Sequence, residues 1–187
     1  MKLNGWINRY WAVFSIAVLT LSAGWIWVSR PPAAPGAAVI SAPQQGFMAP
    51  GFTTKDFAGQ PVTLADLNGK VVLINFWASW CPPCRAEMQA IQHAYADDRD
   101  QGLVILAINA SYQDDLQTAA QFAQTEGLTF PLLTDPDGSI NRRYRVLALP
   151  TTFFIDRQGK IAKVVIGGPM AEALVRSEVE ALLKETP

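Results

Sequence analysis

Apolar residues recur along the chain with different periods, and each period predicts a different element. Val71–Trp77 (VVLINFW) and Leu103–Asn109 (LVILAIN) are almost unbroken apolar runs, as required of central strands in a parallel sheet covered on both faces. Between them, Cys84, Met88, Ile91 and Tyr95 fall at i, i+4, i+7 and i+11, one face of a helix. The pattern is a strand–helix–strand unit, right-handed by default. Upstream, residues 52–57 and 61–64 flank a turn at Ala58-Gly59-Gln60 and predict a hairpin. Downstream, Leu116, Ala119, Ala120 and Ala123 predict a helix over residues 115–125, closed by Gly127. Residues 130–133 read as a short strand, Asp135-Pro136-Asp137-Gly138 as a turn, and residues 139–144 as a short helix. Thr151–Ile155 and residues 160–166 are strands around Arg157-Gln158-Gly159. A last helix over residues 171–184 would bury Leu174, Val175, Val179 and Leu182, and its early Glu172 and late Lys184 suit the helix dipole. The class is α/β, a mixed central sheet flanked by helices.

Residues 11–28 (WAVFSIAVLTLSAGWIWV) have no polar period at all and no charge. As a helix they would be about 27 Å long, close to the ~30 Å hydrocarbon core of a bilayer. Trp6 and Trp11 lie at one end and Trp25 and Trp27 at the other, where amphipathic rings settle at the headgroups. Lys2 and Arg9 precede the span and Arg30 follows it, a small positive-inside bias that faces the rest of the chain outward. A cleaved signal peptide is the competing reading; its apolar region is shorter and ends in a small-x-small site, for which Gly36-Ala37-Ala38 is the best match. Either way the remainder is exported. Residues 31–50 hold five of the 13 prolines and no charge, a composition that cannot bury enough apolar surface to offset its ordering entropy. The expected organisation is therefore residues 1–30 as anchor or signal, 31–48 as a Pro/Ala-rich linker and 49–187 as the globular domain.

Composition removes several function classes. Residues 1–46 carry Lys2, Arg9 and Arg30 and no acid, which leaves 12 basic and 16 acidic groups on residues 47–187. An acidic body without a basic stripe does not bind nucleic acid, because phosphate neutralisation drives that affinity. With two cysteines and one histidine in 187 residues, neither a multi-disulfide scaffold nor a four-ligand Cys/His zinc site can be assembled.

The candidate chemistry sits in Trp80-Cys81-Pro82-Pro83-Cys84-Arg85, where the strand Val71–Trp77 turns into the following helix. Cys81 falls at the helix N-terminus, whose unpaired N–H groups and positive dipole end stabilise a thiolate and make it the nucleophile. Cys84, three residues on, presents its sulfur on the same side, one turn deeper. Pro82 and Pro83 are tolerated because the first helical turn has no N–H bonds to lose, and they stiffen the loop. A structural disulfide across so short a loop gains little entropy, and the only other metal-ligand candidates are His93 and methionines. A CxxC at a strand-to-helix turn inside a βαβ pattern is a redox signature. Two further classes stay in view: a copper-handling module using both sulfurs as soft ligands, and a thiol peroxidase.

The segment Phe76-Trp77-Ala78-Ser79-Trp80-Cys81-Pro82-Pro83-Cys84-Arg85-Ala86-Glu87-Met88 resembles the active-site stretch of the TlpA/ResA group of membrane-anchored thioredoxin-like proteins, and Leu149-Pro150-Thr151-Thr152-Phe153-Phe154-Ile155-Asp156 resembles their second signature. The resemblance spans residues 48–185, with an added helix and strand at 114–133. It implies a thioredoxin-like fold and an extracytoplasmic, usually reducing, thiol-disulfide oxidoreductase that needs no cofactor beyond the Cys81–Cys84 couple and holds no metal. It also implies protein disulfide substrates, a membrane electron donor of thiol/disulfide type, contact with the bilayer through residues 11–28, and a role in cytochrome c maturation. Pro150 matches the group's cis-proline, leaving the Leu149 backbone to pair with a substrate strand. Trp77 and Trp80 are expected beside the disulfide, and Glu87 either supports it or is a solvated helix charge. Thioredoxin proper has a buried aspartate where Asn75 stands, so another group must take the proton of Cys84. Asp114 and Asp115 are candidates for that role, with helix N-capping as the alternative. His93 is expected on the surface.

Overall fold

The computed structural model describes Trp11, residues 14–22, Gly24, Trp25 and residues 41–185. Residues 14–22 are helical, and among the described residues no helix is long and apolar enough to cross a membrane. Lys2, Trp6, Arg9, Trp27, Arg30 and Gly36-Ala37-Ala38 lie outside the described residues, as does most of the expected linker. Backbone contacts divide the chain after residue 38 into two units, and the second holds every strand among the described residues.

A two-stranded hairpin, β1 (Thr53–Lys55) and β2 (Pro61–Thr63), precedes a five-stranded sheet. The sheet consists of β3 (Val71–Trp77), β4 (Leu103–Asn109), β5 (Leu132–Thr134), β6 (Thr151–Ile155) and β7 (Ile161–Ile166), in the order β5-β4-β3-β6-β7. β3 runs parallel to β4, and β4 to β5, whereas β6 is antiparallel to β3 and β7 to β6. The helices are α1 (Pro82–Asp98), α2 (Leu116–Thr125), α3 (Ser139–Arg143) and α4 (Glu172–Lys184). Every residue of β3 is buried, which explains its unbroken apolar run: alternate side chains serve two cores. Leu73 and Trp77 join Met88 and Ile91 of α1 and Val175 and Val179 of α4, while Val72, Ile74 and Phe76 join Tyr144 and Phe153 on the opposite face.

Three expectations shift on contact with the structure. The buried stripe of α2 is Ala119, Phe122 and Ala123, not the face through Leu116 and Ala120, which are exposed. Phe122 packs on Trp77 with ring centroids 5.8 Å apart, and its larger apolar area decides the rotation of the helix. Strand β5 begins at Leu132 because Phe130 leaves the sheet to meet Tyr95 edge-on, 6.0 Å between centroids. Finally, residues 41–48, read as linker, lie on the folded body. Gly46 N–H donates to Ile161 O at 2.8 Å, Ile161 N–H to Phe47 O at 2.8 Å, and Ala49 N–H to Gly159 O at 2.9 Å. The open edge of β7 offers unpaired backbone groups that this short uncharged segment satisfies.

Candidate active site

β3 delivers the chain into Ala78-Ser79-Trp80, and α1 starts at Pro82 with Cys81 as its N-cap residue in extended backbone, φ −92° and ψ 106°. Pro82 and Pro83 fill the first two helical positions, as their missing N–H groups allow. The N–H of Cys84 donates to Cys81 Sγ at 3.3 Å, so the sulfur takes the place of a capping oxygen at the positive end of a 17-residue helix. The two cysteines form a disulfide with Cα atoms 5.3 Å apart. Cys84 is fully enclosed, and Cys81 retains 3% exposure, which opens into a cleft of about 290 Å³. Trp80, Tyr112, Gln113, Val146, Leu147 and Leu149 are among the residues around it, and no charged side chain lines it. Trp80 is 55% exposed and Leu147 91%.

Leu149–Pro150 is a cis peptide bond. Leu149 and Cys81 line the same cleft, and among the described residues no backbone hydrogen bond engages Leu149. Trp77 is enclosed in the same core cluster as both cysteines, and its indole Nε1 finds no partner among the described residues. Trp80 instead stands at the surface and donates from Nε1 to Gln113 O at 3.1 Å.

One turn along α1 from Cys84 lies a carboxyl group. Glu87 is completely buried, not solvated. Its Oε1 accepts from Asn75 Nδ2 at 2.8 Å and its Oε2 from the Met170 N–H at 2.9 Å; Asn75 Nδ2 also donates to Thr152 Oγ1 at 2.9 Å. Burial pushes the carboxyl above the ordinary glutamate range, and the two hydrogen bonds offset that only in part. Positions 84, 87, 88 and 91 form one helical stripe, a signal that could have chosen the buried alternative for Glu87 over the solvated one. Met170, which follows the second cis bond at Gly168–Pro169, and Thr152 had no such signal; only the fold brings them to Glu87.

The two aspartates after β4 divide their work. Asp115 caps α2, accepting from Thr118 N and Thr118 Oγ1, both at 2.7 Å, and these bonds hold its carboxyl below the usual range. Asp114 accepts from Ser79 N, Ser79 Oγ and Asn109 Nδ2, each at 2.6 Å, and from Asp115 N at 3.0 Å. It bolts the loop after β4 to the turn that carries Trp80 and Cys81. His93 is half exposed and pairs with Glu172 at 3.0 Å, away from the disulfide.

A family model described as the AhpC/TSA family matches residues 46–164. Over 179 residues the chain is 34% identical to the thiol-disulfide oxidoreductase ResA of Halalkalibacterium halodurans, covering 95% of this chain and 97% of that one. The chain belongs to the AhpC/TSA family, in its ResA-like branch. ResA-like proteins with a Cys-x-x-Cys pair are thiol-disulfide oxidoreductases, and so is this chain. Among solved structures, a thioredoxin family thiol:disulfide interchange protein from Chlorobium tepidum TLS is 27% identical with a TM-score of 0.67, over 73% of this chain and 95% of that one. A secreted disulfide oxidoreductase of Mycobacterium tuberculosis, described as homologous to Escherichia coli DsbE, is 28% identical with a TM-score of 0.65, over 70% and 96%. The ResA-like fold is thus thioredoxin-like, with its mixed sheet and flanking helices as described.

Proposed function

We propose that the chain is a membrane-anchored, extracytoplasmic reductant of protein disulfides, with Cys81 as nucleophile, Cys84 as resolving thiol and Glu87 as the proton acceptor of Cys84. The carrying observation is the stacking of the three groups: Cys81 Sγ on the helix tip facing an uncharged cleft, Cys84 enclosed behind it, and a buried carboxyl one turn below. The Cys81 thiolate attacks one sulfur of the substrate disulfide, forming a mixed disulfide and expelling a substrate thiolate. Cys84 gives its proton to Glu87 and attacks Cys81 Sγ; the Cys81–Cys84 bond forms and the second substrate thiolate leaves. The substrate gains two electrons and the protein loses two, which a thiol/disulfide donor in the membrane restores. The free backbone of Leu149 beside cis-Pro150 pairs with an extended substrate strand.

The reducing direction is supported by the cleft, whose lining has no cation to stabilise the Cys81 thiolate beyond the helix tip. Haem-attachment thiols of apocytochrome c suit such a reductant. Export and anchoring rest on the uncharged span of residues 11–28 and its flanking Trp11 and Trp25. Insulin reduction tests the roles: Cys84→Ser accumulates the mixed disulfide and Cys81→Ser is inert. Equal inactivity of both variants with no adduct overturns the assignment. Equilibration with glutathione tests the direction, a potential below about −200 mV supporting a reductant and one near about −120 mV refuting it.

A further inference from the structure

The segment between β7 and α4 touches both the buried acid and the substrate-facing proline. Gly167 N–H donates to Pro150 O at 2.8 Å; three residues later Met170 N–H donates to Glu87 Oε2 at 2.9 Å. Between them, Gly168 has no room for a side chain. A Cβ there would stand 2.7 Å from Glu87 Oε2 and 2.7 Å from Pro150 Cγ, closer than real Cβ contacts allow. Gly168 has no positive φ, so backbone conformation does not require glycine here. The requirement is space, and that space is taken by one atom of the acid and one of the proline ring.

We infer that Gly168 is a positioning residue for the thiol-disulfide reaction: by lacking a side chain it lets one backbone segment hold the Glu87 carboxylate and the cis-Pro150 loop in contact. The inference rests on Glu87 being the proton acceptor of Cys84, and it adds the element that sets where that acceptor stands. A methyl group at position 168 displaces Oε2 from the Met170 N–H. Glu87 then keeps only the bond from Asn75, and loss of a hydrogen bond to the charged form raises its proton affinity further.

The test is a titration in the Cys81→Ser background, where Cys84 is the one remaining thiol, following its ultraviolet thiolate absorbance against pH. Gly168→Ala is expected to move the carboxyl-linked inflection upward by about one pH unit, the size of one charge-assisted hydrogen bond. In Gly168→Ala/Glu87→Gln that inflection and its shift are both absent. An unchanged inflection in folded Gly168→Ala overturns the inference. A Cys84 titration unaffected by Glu87→Gln alone overturns instead the assignment of Glu87, so the two failures are distinct. Where Gly168→Ala does not fold, Gly168→Ala/Pro150→Ala removes the ring contact and is titrated against Pro150→Ala. If that variant also fails to fold, the glycine serves architecture alone and the inference falls.

Discussion

Glu87 is a carboxyl that the fold keeps from water and supplies with two N–H donors. Its proton affinity is higher in the folded than in the unfolded chain, so the native state binds the extra proton. Stability is therefore greatest below the ordinary carboxylate range and falls as pH rises through the elevated folded value. Glu87→Gln should remove that decline, seen as a flatter dependence of Tm on pH. The substitution is sterically mild, and the retained glutamine oxygen can still accept from Asn75 Nδ2 or from the Met170 N–H. The same variant should release reduced substrate roughly a hundredfold more slowly, the usual contribution of a positioned base, read as a longer-lived mixed disulfide in quenched-flow traps. Asp114 answers to a different measurement. Asp114→Ala strips four donors, Ser79 N, Ser79 Oγ, Asn109 Nδ2 and Asp115 N, of their acceptor and should cost about 2 kcal/mol in urea unfolding. It should also loosen the turn before Trp80, raising the alkylation rate of Cys84 in the reduced protein.

At the scale of elements, the cap of α2 separates structure from chemistry. Asp115→Ala should lower the urea midpoint through loss of the Thr118 bonds while insulin reduction per folded molecule stays at the parent rate. Strands β3 and β4 were legible because they are almost unbroken apolar runs, and α1 because its stripe through Cys84, Met88 and Ile91 has a clean period. α2 is rotated from the expected face, keeping Ala119 and Ala123 inside: its alanines fit two faces equally, and only the partner ring of Trp77 chooses Phe122. The site was legible where it is local. Cys81 at a helix tip, prolines in the first turn and the deeper Cys84 follow from six consecutive residues. The contacts of Glu87 with Thr152 through Asn75 and with Met170 span long stretches of chain, and no periodicity encodes them. Sequence alone offers Asp114 as an acid or a cap; its role as an anchor for Ser79 arises because the loop after β4 folds back over the turn.

Across the whole folded body, each outer strand of the sheet is covered along part of its edge. The segment around Phe57 donates to Leu132 O at 3.0 Å along β5, and residues 46–49 pair at the start of β7. Open strands recruit other chains, so a fragment beginning at residue 50 should show concentration-dependent association by light scattering, whereas one beginning at residue 41 stays monomeric. In membranes prepared from cells, protease added from the outside of the cytoplasmic membrane should digest residues 41–185 if the proposed anchoring through residues 11–28 and export of the body hold.

Register fixes where the chain joins this body. Ile161 lies opposite Ile155, and Ile155 opposite Val72, at the end of β3 remote from Trp77. Ser41 and its successors in the chain therefore attach at the pole opposite Cys81. Coupling the body to a solid support through residue 41 should leave its turnover of insulin intact, whereas coupling through Leu147 should block it; the point of attachment doubles as a handle for immobilised reducing columns.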